Sequence, residues 1–264
     1  MWKELKFAFY TIKKNIQSSA ELRTSFLMNI IGMAINNTSF IILWIFFVQS
    51  VGVIGGWTAA DIVGLQGFLA ISYGIVFSVG VGIRKLPEYV TSGAFDRFML
   101  SPKSLLTRVA TASFSPSGIG DIVFGATCLI IYGILIHATA FQVALMLIFV
   151  FLSVIVFGAT AIAIYSLSFF FMDSTATTNG IFELFMTPTL FHGGAFQGGM
   201  RFIFTFIIPS LLIGALPVEA VRDISLLKLL LVSVLAILWL ILAIKIFHKA
   251  IRRYESSNLM TFGS

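Results

Sequence analysis

Charge is what this chain has least of. Only 11% of its 264 residues are charged, against about a quarter in a soluble globular domain. A chain so depleted could not cover a water-facing surface with polar groups, which excludes an ordinary soluble enzyme. Cysteine is nearly absent too. Cys128 is the sole one, within the apolar stretch Ile122 to Ile131, so an intrachain disulfide and CxxC-type redox or metal chemistry are both excluded. No glycine is followed by lysine, which removes the GxxxxGK[ST] phosphate loop, and HExxH and GxSxG are missing as well. His137 and His192 have no second ligand at metal spacing, so no metal and no cofactor is assigned to this chain.

What is present is apolar. Hydrophobic residues make up 58% of the chain, and the mean hydropathy is +1.02. Runs able to cross about 30 Å of hydrocarbon at about 1.5 Å per residue occupy 26–48, 62–83, 119–138, 141–172, 181–216 and 226–247. The pattern predicts an all-α polytopic membrane protein with six transmembrane helices. The fifth run is too long and too interrupted for one straight helix, being broken by Pro188, Gly193, Gly194, Gly198, Gly199, Arg201 and Pro209. Broken backbone at membrane depth is tolerated where it is buried in protein. The expectation is a span over 177–194 and an external re-entrant pair over 201–216, within an external region 195–225; one long kinked helix is the alternative.

The sparse charge sets an orientation. Of the 17 basic residues, 13 fall before the first run, between the second and third, or after the sixth, whereas Arg222 alone lies in an external loop. Basic residues accumulate on cytoplasmic segments, so both termini are expected in the cytoplasm of a multi-pass protein of the cell (inner or plasma) membrane. The first apolar run is of span length and lacks a cleavage site after it, unlike a signal peptide. No segment of domain size is hydrophilic, giving one transmembrane domain over 1–264, and the dispersed basic clusters do not form a nucleic-acid platform.

Several segments could carry function. Trp2, Leu5, Phe9, Ile12 and Ile16 share one face of a helix within 1–24, with Lys3, Lys6 and Lys13 beside them, as in an interfacial helix on membrane lipid. In the first run Asn29 and Asn36 lie seven apart, on one face; such amides join helices or meet cargo. Glu183 and Arg201 fall deeper in apolar sequence and complete the candidate translocation path, whereas Asp121 and Asp173 read as helix-terminal groups. In the cytoplasmic stretch 84–118, Pro87 can restart a helix, Gly93 allows a sharp turn, and Phe95, Phe98, Met99 and Leu100 form an apolar cluster that ends before Pro102. An apolar cluster in the cytoplasm suggests a docking surface.

The run Gly93-Ala94-Phe95-Asp96-Arg97-Phe98-Met99-Leu100-Ser101-Pro102 resembles the cytoplasmic segment of bacterial type-2 ABC exporter permeases. That segment reads glycine, two residues, aspartate, two residues, a leucine pair, one residue, proline; here Met99-Leu100 replaces the pair. Leu216-Pro217-Val218-Glu219-Ala220 resembles the family's proline-containing element before the last span, and Arg252-Arg253-Tyr254-Glu255-Ser256 its C-terminal tail. The resemblance implies a coupling helix around Asp96 to Pro102, with Gly93, Phe95, Asp96, Arg97, Phe98, Leu100 and Pro102 docking into an ABC ATPase subunit. It implies a connecting helix at the N-terminus, a second permease protomer in a homo- or heterodimer, and ATP on the partner ATPase. The alternative is a passive channel or a scaffold assembling through the GxxxG pair Gly194 and Gly198.

Overall fold

The computed structural model describes residues 2–51, 55–171 and 174–254; Asp173, Glu255 and Ser256 lie outside them. Every regular element among the described residues is helical. The long helices are α1 (Trp2–Glu21), α2 (Arg23–Val51) and α3 (Ala59–Val79). Four short helices follow: α4 (Val81–Arg84), α5 (Leu86–Thr91), α6 (Asp96–Met99) and α7 (Leu105–Ala110). Then come α8 (Ser117–Leu135), α9 (Ala140–Tyr165), α10 (Ser174–Thr189), α11 (Gly198–Phe202), α12 (Ala215–Arg222) and α13 (Leu226–Ile251). Among the described residues, five helices are long and apolar enough to cross a membrane: α2, α3, α8, α9 with its 3₁₀ extension to Phe169, and α13.

Local chemistry fixes several starts. Thr58 and Asp61 form a capping box at α3, and Thr139 and Gln142 form one at α9, each satisfying two backbone donors that would otherwise be orphaned. Ser225 caps α13 by accepting from the Lys228 amide.

Helix α3 is the centre, buried along most of its length. It crosses α8 at backbone distance through two glycine pairs. A Cβ at Gly74 would come 2.6 Å from the Gly118 carbonyl oxygen, and one at Gly125 would come 2.8 Å from that of Gly67. Seven-residue spacing in both helices puts the two pairs on one seam, the close approach that small residues permit when lipid offers no hydrophobic drive. On the other flank α13 lays Val232, Ala236, Ala243, Phe247 and Ala250 inward, and packs on α9. Its outer face, including Leu227, Leu230, Leu238 and Leu242, is exposed, as is that of α2, where Leu27, Met28, Ile35 and Leu43 project.

The region 181–216 is not one kinked helix. Helix α10 has 16 residues and ends at Thr189, with Pro188 in its last turn. It packs on α5, and Phe191 just beyond its end stacks edge-on against Trp44 of α2 at 5.7 Å. A 3₁₀ turn (Gly193–Ala195) and extended Phe196 separate it from α11, which continues as a π-helical turn over Ile203–Ile207. The chain then doubles back. Ser153 of α9 donates to the Ile213 carbonyl at 2.8 Å, the Tyr132 hydroxyl to that of Val218 at 3.4 Å, and Gln142 to that of Val221 at 3.0 Å. Residues 198–222 therefore form a hairpin that enters the bundle and returns to the end it left. Gly194 and Gly198 lie in its irregular lead-in, on no common helix face, so the GxxxG reading of them fails.

Candidate functional site

At the end of the bundle that carries both described termini, Gly93 takes a left-handed turn (φ +71°) after α5, and the Phe95 amide reaches back to the Tyr89 carbonyl at 2.9 Å. That turn aims α6 across the helix ends. Phe95 is fully buried, with ring centroids 5.0 Å from Phe169, 4.8 Å from Tyr254 and 6.1 Å from Phe98. Phe169 in turn meets Phe247 of α13 at 6.4 Å. One aromatic cluster therefore joins α6 to the ends of α9 and α13.

Asp96 accepts a hydrogen bond from the Tyr254 hydroxyl at 2.8 Å. Burial, and after it the bond to this carboxylate, push the phenol up to about 12. Arg97 is exposed and lays its guanidinium over the rings of Phe98 and Tyr89 at 4.9 and 5.3 Å. Arg108 closes the far end of α6 by donating to the Phe98 and Arg97 carbonyls, satisfying acceptors a short helix leaves open.

Of the apolar residues read as a docking cluster, Phe95 and Phe98 face inward and anchor the helix. Met99 and Leu100 face out, Leu100 being 86% exposed, with Pro102 exposed beside them. Helix α1 is clipped to the same platform: Glu4 accepts from the Ser104 amide at 3.2 Å, and Asn15 donates to the Thr111 carbonyl at 2.8 Å. Sequence reasoning missed Glu4, Asn15 and Arg108. Tyr254 had a signal, because it stands in the quoted C-terminal tail.

The opposite end is laced by ion pairs. Arg201 meets Glu219 at 2.6 Å, Lys228 meets Glu219 at 3.3 Å and Asp223 at 2.7 Å, and Arg222 meets Asp223 at 3.2 Å and Asp61 at 3.1 Å. The network ties α11, α12 and α13 to the start of α3. Burial works against the Asp223 carboxylate, but hydrogen bonds from Lys228 and Arg222 outweigh it and hold its pKa below the ordinary range. Arg201 thus has a partner within the hairpin, and Glu183 is exposed on α10; the two are not brought together.

The remaining polar candidates separate likewise. Asn29 is exposed and donates to the Ser25 carbonyl of its own helix at 2.7 Å. Asn36 lines a cavity of about 290 Å³ between α2, α3, α8 and α10. Its polar wall is completed by Asn37, Gln66, Tyr73 and Asp121. Asp121 does not behave as a helix-end group. It is 4% exposed and accepts from the Asn37 amide at 2.6 Å, because Gly120 lets α2 approach α8 closely at the Ile30 carbonyl.

Among the described residues no three His, Cys, Asp or Glu side chains gather to hold a metal ion. The family model described as ABC-2 family transporter protein matches residues 33–258. No curated protein and no solved structure is matched.

Proposed function

The chain belongs to the ABC-2 family of transporter proteins, and we propose that it is the permease subunit of an ATP-driven exporter, forming the path with a second permease protomer. As a family member it is a membrane transport component and not itself a catalyst; the ATP that drives it is hydrolysed on separate ABC ATPase subunits. The basic end faces the cytoplasm. Helix α10 makes the sixth crossing, short but completed by the irregular turns beyond it, and the hairpin 198–222 is the external re-entrant element.

Carrying this reading is the aromatic joint around Phe95. A docking helix that is to transmit motion needs an exposed apolar tip and a stiff connection to spanning helices. Met99 and Leu100 supply the tip. Phe95, stacked on Phe169 and Tyr254 with Asp96 bonded to Tyr254, supplies the connection to α9 and α13. When the ATPase subunits close on ATP, displacement of α6 biases the two ends of the bundle toward the outward state, since packed elements switch between discrete arrangements. The scaffold alternative loses its support, as Gly194 and Gly198 share no helix face.

The test is co-expression and reconstitution of the full chain with ABC ATPase subunits of the same organism. Leu100→Asp leaves the fold intact and lowers ATPase co-purification at least tenfold. Undiminished co-purification of Leu100→Asp and of the double variant Asp96→Ala/Pro102→Ala argues against the reading.

A further inference from the structure

The cavity between α2, α3, α8 and α10 contains two polar atoms with no partner. Asp121 is 4% exposed and Gln66 is 5% exposed. Asn37 occupies one carboxylate oxygen of Asp121, but the other, Oδ2, is bonded to nothing, and Nε2 of Gln66 is likewise unbonded. Both residues line the same space. Leaving such a group buried and unsatisfied is unfavourable, and more so when it is charged. A site held this way is completed by what enters it.

The lining narrows what can enter. Among the described residues Asp121 is the only carboxylate that lines the cavity, no lysine, arginine or histidine lines it, and the rings of Phe40, Tyr73 and Phe124 form part of the wall. The one ring hydroxyl is already engaged, accepting from Arg84 at 2.9 Å. A single buried acid inside an aromatic wall selects a compact positive charge on an apolar body, through charge pairing and cation–π attraction. The volume, about 290 Å³, suits a small ligand at the lower end of the usual pocket range. We propose that this cavity binds lipophilic organic cations, with Asp121 as the counter-charge and Gln66 offering a donor to an acceptor group on the same molecule. As a binding site it stands on its own geometry; as the cargo site it rests on the transport reading above.

The experiment uses the full chain in lipid nanodiscs, with empty nanodiscs as the background. Binding of benzyltrimethylammonium and of benzylsulfonate, which share a benzyl body and a compact tetrahedral head and differ in the sign of charge, is measured separately. Saturable binding of the cation, at least tenfold tighter than any of the anion, is expected. Asp121→Asn weakens the cation at least tenfold, and Asp121→Glu recovers part of the loss. Equal binding of the two ions, no saturable binding, or unchanged binding by Asp121→Asn overturns the proposal. If Asp121→Asn does not fold, the comparison of the two ions on the unaltered protein decides alone. Binding requires no ATPase, so a failure here leaves ATPase co-purification unaffected, and loss of co-purification leaves binding unaffected.

Discussion

The Tyr254 hydroxyl donates to Asp96 across 158 positions of sequence, at 2.8 Å, and so locks the last described residue to the first of α6. Tyr254→Phe removes this bond but keeps the ring against Phe95 and Phe169. The expected cost in stability is about 1–2 kcal/mol, toward the low end for a hydrogen bond to a charged acceptor because the pair is only partly buried. Coupling suffers more than stability does: ATPase stimulation by cargo in the reconstituted complex falls severalfold while co-purification persists. Stimulation equal to that of the unaltered complex refutes the locking role.

The α3–α8 seam tolerates no side chain. Gly74→Ala places a carbon 2.6 Å from the Gly118 carbonyl oxygen and forces the helices apart, for about 1–3 kcal/mol of overpacking strain. Gly180→Ala in α10 meets nothing within 4 Å and should be neutral or slightly stabilising. Thermal melts followed by tryptophan fluorescence compare the two. A Gly74→Ala protein that melts with the unaltered one contradicts the close approach.

Arg201 and Glu219 form an ion pair at 2.6 Å, and the strength of that coupling is measurable. A double-mutant cycle on Arg201→Met and Glu219→Gln should return an interaction of about 1 kcal/mol, moderated because Lys228 also reaches Glu219. An Arg201 that touched cargo would instead alter cargo preference with no coupling to Glu219. Chemical denaturation of the four proteins distinguishes the cases.

Acidification probes the same end. A carboxylate whose folded pKa is depressed contributes stability above its unfolded value, near 3.8 for Asp223, and loses it only as pH falls through the folded value. The difference in melting temperature between the unaltered protein and Asp223→Asn should therefore hold constant from pH 7 to about 4.5 and shrink below that. A difference that vanishes already at pH 6 contradicts the ion-pair assignment.

Hydropathy made the long helices legible, because about 20 apolar residues leave a chain few alternatives. Legible too was the break in the fifth run, since Pro188 and the glycines after it disfavour one continuous helix, and α10 ends one residue past Pro188. The burial of Asp121 was not. An acid five residues into a helix reads as a dipole partner until α2 is packed against Gly120 and Asn37 is brought to it. Nor could spacing reveal that Arg201 would find Glu219, 18 positions away across a hairpin. The docking cluster was half legible: the three-residue step from Phe95 to Phe98 places them on one face, which turns Met99 and Leu100 outward.

Site-directed photo-crosslinking from α6 tests the coupling role most directly. A photoreactive phenylalanine analogue at Leu100 in the native membrane, with one at exposed Leu238 of α13 as control, is irradiated and the adducts are identified by mass spectrometry. An ABC ATPase subunit captured from position 100 and not from position 238, with a yield that changes on adding ATP, is expected. Capture of lipid alone at both positions, or of no ABC ATPase at position 100, would contradict an exporter driven through this helix.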